Sequence, residues 1–168
     1  MGTLRKLLIV SAWTAHCVAA VPAAAGEEAK KVDEVRVESI QVKLSDAGPV
    51  VLLLVGSKAV PIFVDTLVAQ GIQGALTQQK PPRPLSHDLM TTIIEAFDAK
   101  VSKVVITEKN ATFYGALTIV AGNKPRVFDS RSSDAIALAI RFKAPILLDP
   151  RLVDAFGVEL PKPLGKEL

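Results

Sequence analysis

Cysteine occurs once in this chain of 168 residues, at Cys17, and so do tryptophan and tyrosine. One thiol cannot close an internal disulfide. The two histidines, His16 and His87, have no cysteine or histidine near them at zinc-binding spacing except Cys17 beside His16. A structural zinc cluster is therefore excluded. No phosphate-cradling loop of the Walker or dinucleotide type occurs, and no nucleophilic serine or cysteine signature. Aromatics make up only 5% of the chain, which leaves little for stacking bases. The adjacent Phe113 and Tyr114 would face opposite ways on a strand. Charge is not strongly one-sided either, at +3 overall, so any contact with nucleic acid must rest on a local patch. What is abundant is Val, Ile, Leu and Ala. Hydrophobic residues reach 49%, enough for one globular core in a chain of one-domain length.

The first 25 residues have an export pattern. Arg5 and Lys6 precede the apolar run that opens at Leu7, and Ala23-Ala24-Ala25 supplies small residues for cleavage. Residues 1–25 are read as a signal peptide, with an uncleaved membrane anchor as the alternative because the run is nearly long enough to span. Cleavage would remove Cys17, the only Trp and two basic residues, leaving the mature chain close to neutral. Residues 26–34 are charged or small and read as a solvated lead-in, 35–160 as the domain, and 161–168 as a loose tail.

Apolar residues alternate from Val35 to Leu44, predicting a half-buried strand that the turn Ser45–Pro49 ends. Residues 50–55 are continuously apolar and predict a strand buried on both faces, and a third strand follows from Ala59 to Val64. After Asp65 and Thr66, helical spacing returns at Leu67, Val68, Ile72, Ala75 and Leu76. Lys80-Pro81-Pro82-Arg83-Pro84 breaks that helix as a stiff connector. A second helix then begins, capped by Ser86, with Leu89, Ile93, Ile94 and Phe97 as its core face. Strands are expected over 100–107, around Phe113–Val120 and briefly over Arg126–Asp129. A third helix, capped by Ser133, runs through Ile136, Leu138 and Phe142. A strand at Pro145–Leu148 and a closing helical turn at Leu152–Phe156 complete the chain. Strands do not alternate regularly with helices, so the class is α+β with about three helices.

Two segments gather polar groups beside apolar structure. In Arg83-Pro84-Leu85-Ser86-His87-Asp88, a helix start offers free N–H groups and a positive dipole end for an anion, and Arg83 can grip a phosphate. In Asp129-Ser130-Arg131-Ser132-Ser133-Asp134, two carboxylates flank a strand-to-helix corner. Asp129 and Asp134 could converge on Mg²⁺ or Mn²⁺, with Arg131 and Ser133 beside the phosphate. Both segments also admit a structural reading. Ser86 and Ser133 would then be caps, Asp88 and Asp134 dipole partners, and Asp129–Arg131 an ion pair. Of the two histidines only His87 survives export as a possible general acid or base.

The ordered words Val60-Pro61-Ile62, Lys80 to Leu89, Val104-Val105-Ile106-Thr107, Thr112-Phe113-Tyr114 and Asp129 to Ala139 closely resemble the bifunctional nuclease family. That resemblance implies an α+β fold with a mixed, strongly curved sheet, a homodimer, and nuclease activity on DNA and RNA. Residue by residue, it carries roles onto Arg83, His87 and Asp88 in the first word, and onto Asp129, Arg131, Ser133 and Asp134 in the second. The chain departs from the family where the first helix begins. It has Asp65 and Val68-Ala69 where the family usually has Gly and then Glu-Ala. Two functions follow as expectations: a metal-assisted nuclease acting outside the cytoplasm, and a non-catalytic exported binding or interaction module on the same fold.

Overall fold

A computed structural model describes residues 33–79 and 81–160. The segment expected to be a signal peptide, most of the expected lead-in, Cys17, Lys80 and the expected loose tail lie outside the described residues. The first expected strand is two short ones, β1 (Val35–Arg36) and β2 (Ser39–Ser45). The break has a backbone cause: Val37 donates to the carbonyl of Ile146 at 2.9 Å and Glu38 to that of Leu54 at 2.8 Å. Consecutive amides thus pair with different sheets, and the chain passes from one to the other.

β2, β3 (Gly48–Val55), β4 (Lys58–Phe63) and β9 (Val158–Glu159) form an antiparallel sheet in that order. The other sheet runs β1, β8 (Ile146–Leu148), β5 (Ala99–Lys109), β6 (Thr112–Ala121), β7 (Lys124–Arg131). It is mixed, because β5 and β8 are parallel while its other pairs are antiparallel. The expected single curved sheet is therefore two sheets.

Among the described residues there are four helices rather than three: α1 (Thr66–Thr77), α2 (Ser86–Ala96), α3 (Ser132–Phe142) and α4 (Pro150–Phe156). α4 occupies the expected closing turn. Asp149 caps it by accepting from the Arg151 amide at 3.0 Å, and Pro150 stands where a helix tolerates proline.

The core joins both sheets to α1 and α3 through Val51, Leu53, Val60, Ile72, Val104, Ile106, Ile136 and Leu148. α3 is buried from Ala135 to Ala139. Its small side chains let it lie close on β6, where a Cβ built at Gly115 would stand only 2.5 Å from that of Ala135. Close approach, rather than unusual dihedrals, requires glycine at that position.

Three local expectations are corrected. The α2 face named as core is mostly outside: Leu89 is 57%, Ile93 48% and Phe97 75% exposed, and only Ile94 packs on the core. Helical periodicity marks a shared face but not what covers it. The caps also shift by one residue or more. Leu85, not Ser86, precedes α2, with its amide satisfied by Asp88 at 2.9 Å. Arg131, not Ser133, precedes α3. Finally, β7 extends to Arg131 and leads straight into α3, so Asp129 lies on an exposed edge strand opposite Ala116.

Candidate functional site

α1 ends at the left-handed C-cap Gln78, the prolines that follow deliver the chain to α2, and α2 begins with a one-sided cap, since Leu85 has no side-chain acceptor. Asp88 reaches back to the Leu85 amide, which satisfies an otherwise orphaned donor and sets the first turn. In that turn His87 points inward and is 5% exposed, the one buried residue of α2. The strand-to-helix corner comes to meet it. Asp134, in the first turn of α3, places Oδ1 2.9 Å from His87 Nε2. Arg131, just before α3, donates Nε to Asp134 Oδ2 at 2.7 Å and Nη2 to Oδ1 at 3.0 Å. Two words separated by more than forty residues thus share one carboxylate.

Burial by itself would raise the Asp134 pKa. The hydrogen bonds from Arg131 and His87, with the charge on each, outweigh it and hold the carboxyl below its ordinary range. The Arg131 guanidinium is raised in return, mainly by its hydrogen bond and charge interaction with Asp134 and to a smaller extent by the charge of Asp65. With Nε2 on the carboxylate, Nδ1 is the ring nitrogen left for other work. A Cβ built at Gly71 of α1 would lie 3.8 Å from Nδ1. That is ordinary contact distance, so α1 packs beside the nitrogen.

Directly behind this pair is a strut that joins Asp88, expected as a catalytic residue, to Arg141, for which the sequence predicted no role. Arg141, in the last turn of α3, contacts Asp88 Oδ1 through Nη2 at 2.8 Å and Nε at 2.9 Å. It also donates to the carbonyls of Gly71 at 3.1 Å and Ala137 at 3.0 Å. One guanidinium therefore ties α1, α2 and α3 together, with its side chain only 9% exposed. Burial pushes the Asp88 carboxyl up, but the Leu85 amide and Arg141 bring it below the usual range. The signal for Arg141 was present in the sequence: a lone cation one turn beyond Ala137, at the end of the apolar run Ala135–Ile140.

The remaining expected residues fall around this centre. Arg83 is exposed on the connector, and Ser133 is half-buried in the first turn of α3. Asp129 is exposed on β7. Asp65 caps α1, accepting from the Val68 amide at 2.9 Å, while Val68 itself is 7% exposed in the core. Asp65, three residues before Val68, adds only a small charge interaction to Arg131, whose main acidic partner is Asp134.

A divalent ion with oxygen ligands needs carboxylates free to bind it. Both Asp134 oxygens already accept from Arg131 and His87. Among the described residues no group of three or more His, Cys, Asp or Glu is arranged to hold a metal. This donor set does not fit Mg²⁺ or Mn²⁺ as it stands. Nor, among the described residues, is any helix long and apolar enough to cross a membrane.

Fold and site together define an α+β domain in which a helix-entry histidine and a strand-to-helix aspartate form one arginine-flanked pair. The chain belongs to the family described as the bifunctional nuclease domain, whose model matches residues 50–161. It is also similar to two proteins from two strains of Mycobacterium tuberculosis, named Uncharacterized protein MT1877 and Uncharacterized protein Rv1829. Each is 34% identical over 139 residues, covering 80% of this chain and 82% of its own length.

Proposed function

We propose that this chain is a hydrolase of phosphodiester bonds in DNA or RNA, working through His87 and Asp134 with Arg131 at the phosphate. The observation that carries this reading is the 2.9 Å contact between His87 Nε2 and Asp134 Oδ1. A carboxylate on one ring nitrogen fixes the tautomer and supports the imidazolium that forms when the other accepts a proton. In the proposed reaction Nδ1 takes a proton from a water molecule, or from the 2′-hydroxyl in RNA. The oxygen so activated attacks phosphorus, and the imidazolium returns the proton to the departing oxygen. Arg131 is 69% exposed at its side chain and has N–H groups left over from Asp134. Those groups can offset charge on the phosphoryl oxygens. Arg83 on the connector and Ser133 at the start of α3 are assigned to the substrate phosphates, and no step is routed through a metal ion.

A second reading, a binding module on the same fold without hydrolysis, is supported by Val68 standing where the family usually has Glu. The export pattern of residues 1–25 puts either function outside the cytoplasm in this proposal. The homodimer belongs to the proposal too. The exposed stripe Leu89, Met90, Ile93 and Phe97 on α2 is the face assigned to a second copy, because apolar surface so grouped is costly to leave in water.

Labelled single-stranded RNA and DNA, offered to the full chain with Mg²⁺, Mn²⁺ or EDTA, separate the two readings. The hydrolase reading expects cleavage that Asp134→Ala removes. Binding without cleavage under every condition would leave the module.

A further inference from the structure

A groove of about 1190 Å³ opens beside the site, between α1, the proline connector, β2 and the end of α3. Three of its lining residues, Gly71, Asp88 and Arg141, also build the strut behind His87. The groove therefore adjoins the histidine through shared residues, and a Cβ built at Gly71 would lie 3.8 Å from His87 Nδ1. The volume exceeds the roughly 300–1,000 Å³ of an ordinary small-molecule pocket, which points to a segment of a polymer.

The lining chemistry narrows the polymer. Its one acid among the described residues, Asp88, already accepts from Leu85 and Arg141. Lys43 on β2 and Lys143 just after α3 contribute exposed ammonium groups, and neither is in an ion pair among the described residues. Four glutamines, Gln70, Gln73, Gln78 and Gln79, add amides that both donate and accept. Cations without competing acid suit a polyanion, and amides of both kinds suit the edges of unpaired bases. A duplex keeps its base edges inside grooves roughly 8 Å deep, out of reach of side chains lining a cleft of this size. Among the described residues no aromatic lines the groove, so bases are held there without stacking and with little sequence preference.

We propose that this groove holds one strand of nucleic acid on the flank of the bond handled at His87 and Asp134. The proposal rests on the hydrolase reading but is tested apart from it. A fluorescent 2′-O-methyl oligouridylate, which offers no 2′-hydroxyl to attack, is titrated against the full chain in EDTA at several salt concentrations. Replacing both lysines, Lys43→Gln with Lys143→Gln, should weaken binding roughly tenfold at low salt. It should also reduce the slope of log affinity against log salt by about 1.4, at ~0.7 per lost contact with a single strand. A control pair outside the groove lining, Lys109→Gln with Lys124→Gln, should change neither.

The proposal is overturned if wild type does not bind the strand. It is overturned equally if the groove pair leaves affinity and slope unchanged, or if a duplex binds as tightly with the same dependence on both lysines. Wild type that binds with this dependence yet cleaves nothing would sink the hydrolase reading and leave the groove standing. Cleavage with no effect of the groove lysines on binding would do the reverse.

Discussion

Replacing Asp134 with alanine removes the acceptor shared by His87 and Arg131, and the two losses differ in size. The imidazole is 6% exposed at its side chain, whereas that of Arg131 is 69% exposed. His87 would be left with Nε2 buried and without a partner, a cost of about 1–3 kcal/mol for a polar group. Arg131 would return to water, and its exposed pair is worth roughly 1 kcal/mol or less. We therefore expect Asp134→Ala to lose about 2 kcal/mol at neutral pH and Arg131→Met to lose clearly less, read as urea midpoints by far-ultraviolet circular dichroism. The pH dependence has a definite sign. The folded Asp134 carboxyl is held below its ordinary value, by Arg131 and His87 against the opposing effect of burial. The fold therefore favours the ionised form. That contribution is complete above the unfolded value of about 3.9 and is lost as pH falls from there through the folded value. The stability gap between wild type and Asp134→Asn should thus be widest near neutral pH and shrink below about pH 4. The reasoning is refuted if Arg131→Met costs as much as Asp134→Ala, or if the gap to Asp134→Asn widens on acidification.

Arg141→Met should be the more damaging surgery, losing about 2–4 kcal/mol, because it leaves Asp88 and the Gly71 carbonyl without their donor inside a three-helix junction. In a double-mutant cycle with Asp88→Asn, the measured coupling should be about 1 kcal/mol or more, and additive losses would contradict the contact. Gly115→Val should cost about 1–3 kcal/mol by overpacking, since even a Cβ there meets that of Ala135 at 2.5 Å. An unchanged thermal midpoint would show that β6 and α3 are not so close. Ile93→Glu with Phe97→Glu alters exposed positions on α2. The pair should change urea stability of the monomer by no more than about 0.5 kcal/mol per site while shifting a dimer to monomers in sedimentation velocity. Wild type that sediments as a monomer would remove the assigned interface.

Much of this molecule was legible in the order of its residues, because strands and helices here follow their own periodicities. The hairpin of β2 and β3, the helix after Asp65, the second helix after the prolines and the third helix through Ile136 and Phe142 all stand where pattern and turn chemistry placed them. What pattern could not show is partnership. Alternation from Val35 to Leu44 looks the same whether one sheet or two receives the strand, and the exchange at Val37 and Glu38 is decided by distant carbonyls. The stripe Leu89, Ile93 and Phe97 is as periodic as any core face, yet α2 is tied down at its first turn by His87 and Asp88 instead.

The same distinction applies to the site. Residue types alone singled out His87, Arg131 and Asp134, and the fold brings them within hydrogen-bonding distance. They gave no hint that Asp134 would have both oxygens engaged, or that Arg141 would hold the junction from behind. Asp129 shares a motif with Asp134, but β7 carries it to the edge of a sheet.

The most direct trial of the account is the rate at which the full chain cuts a labelled single strand, measured with and without EDTA for wild type and for His87→Ala. Proton transfer through His87 predicts cleavage that persists in EDTA and falls by roughly 10²–10⁴ in the variant. A rate that His87→Ala leaves unchanged would contradict it.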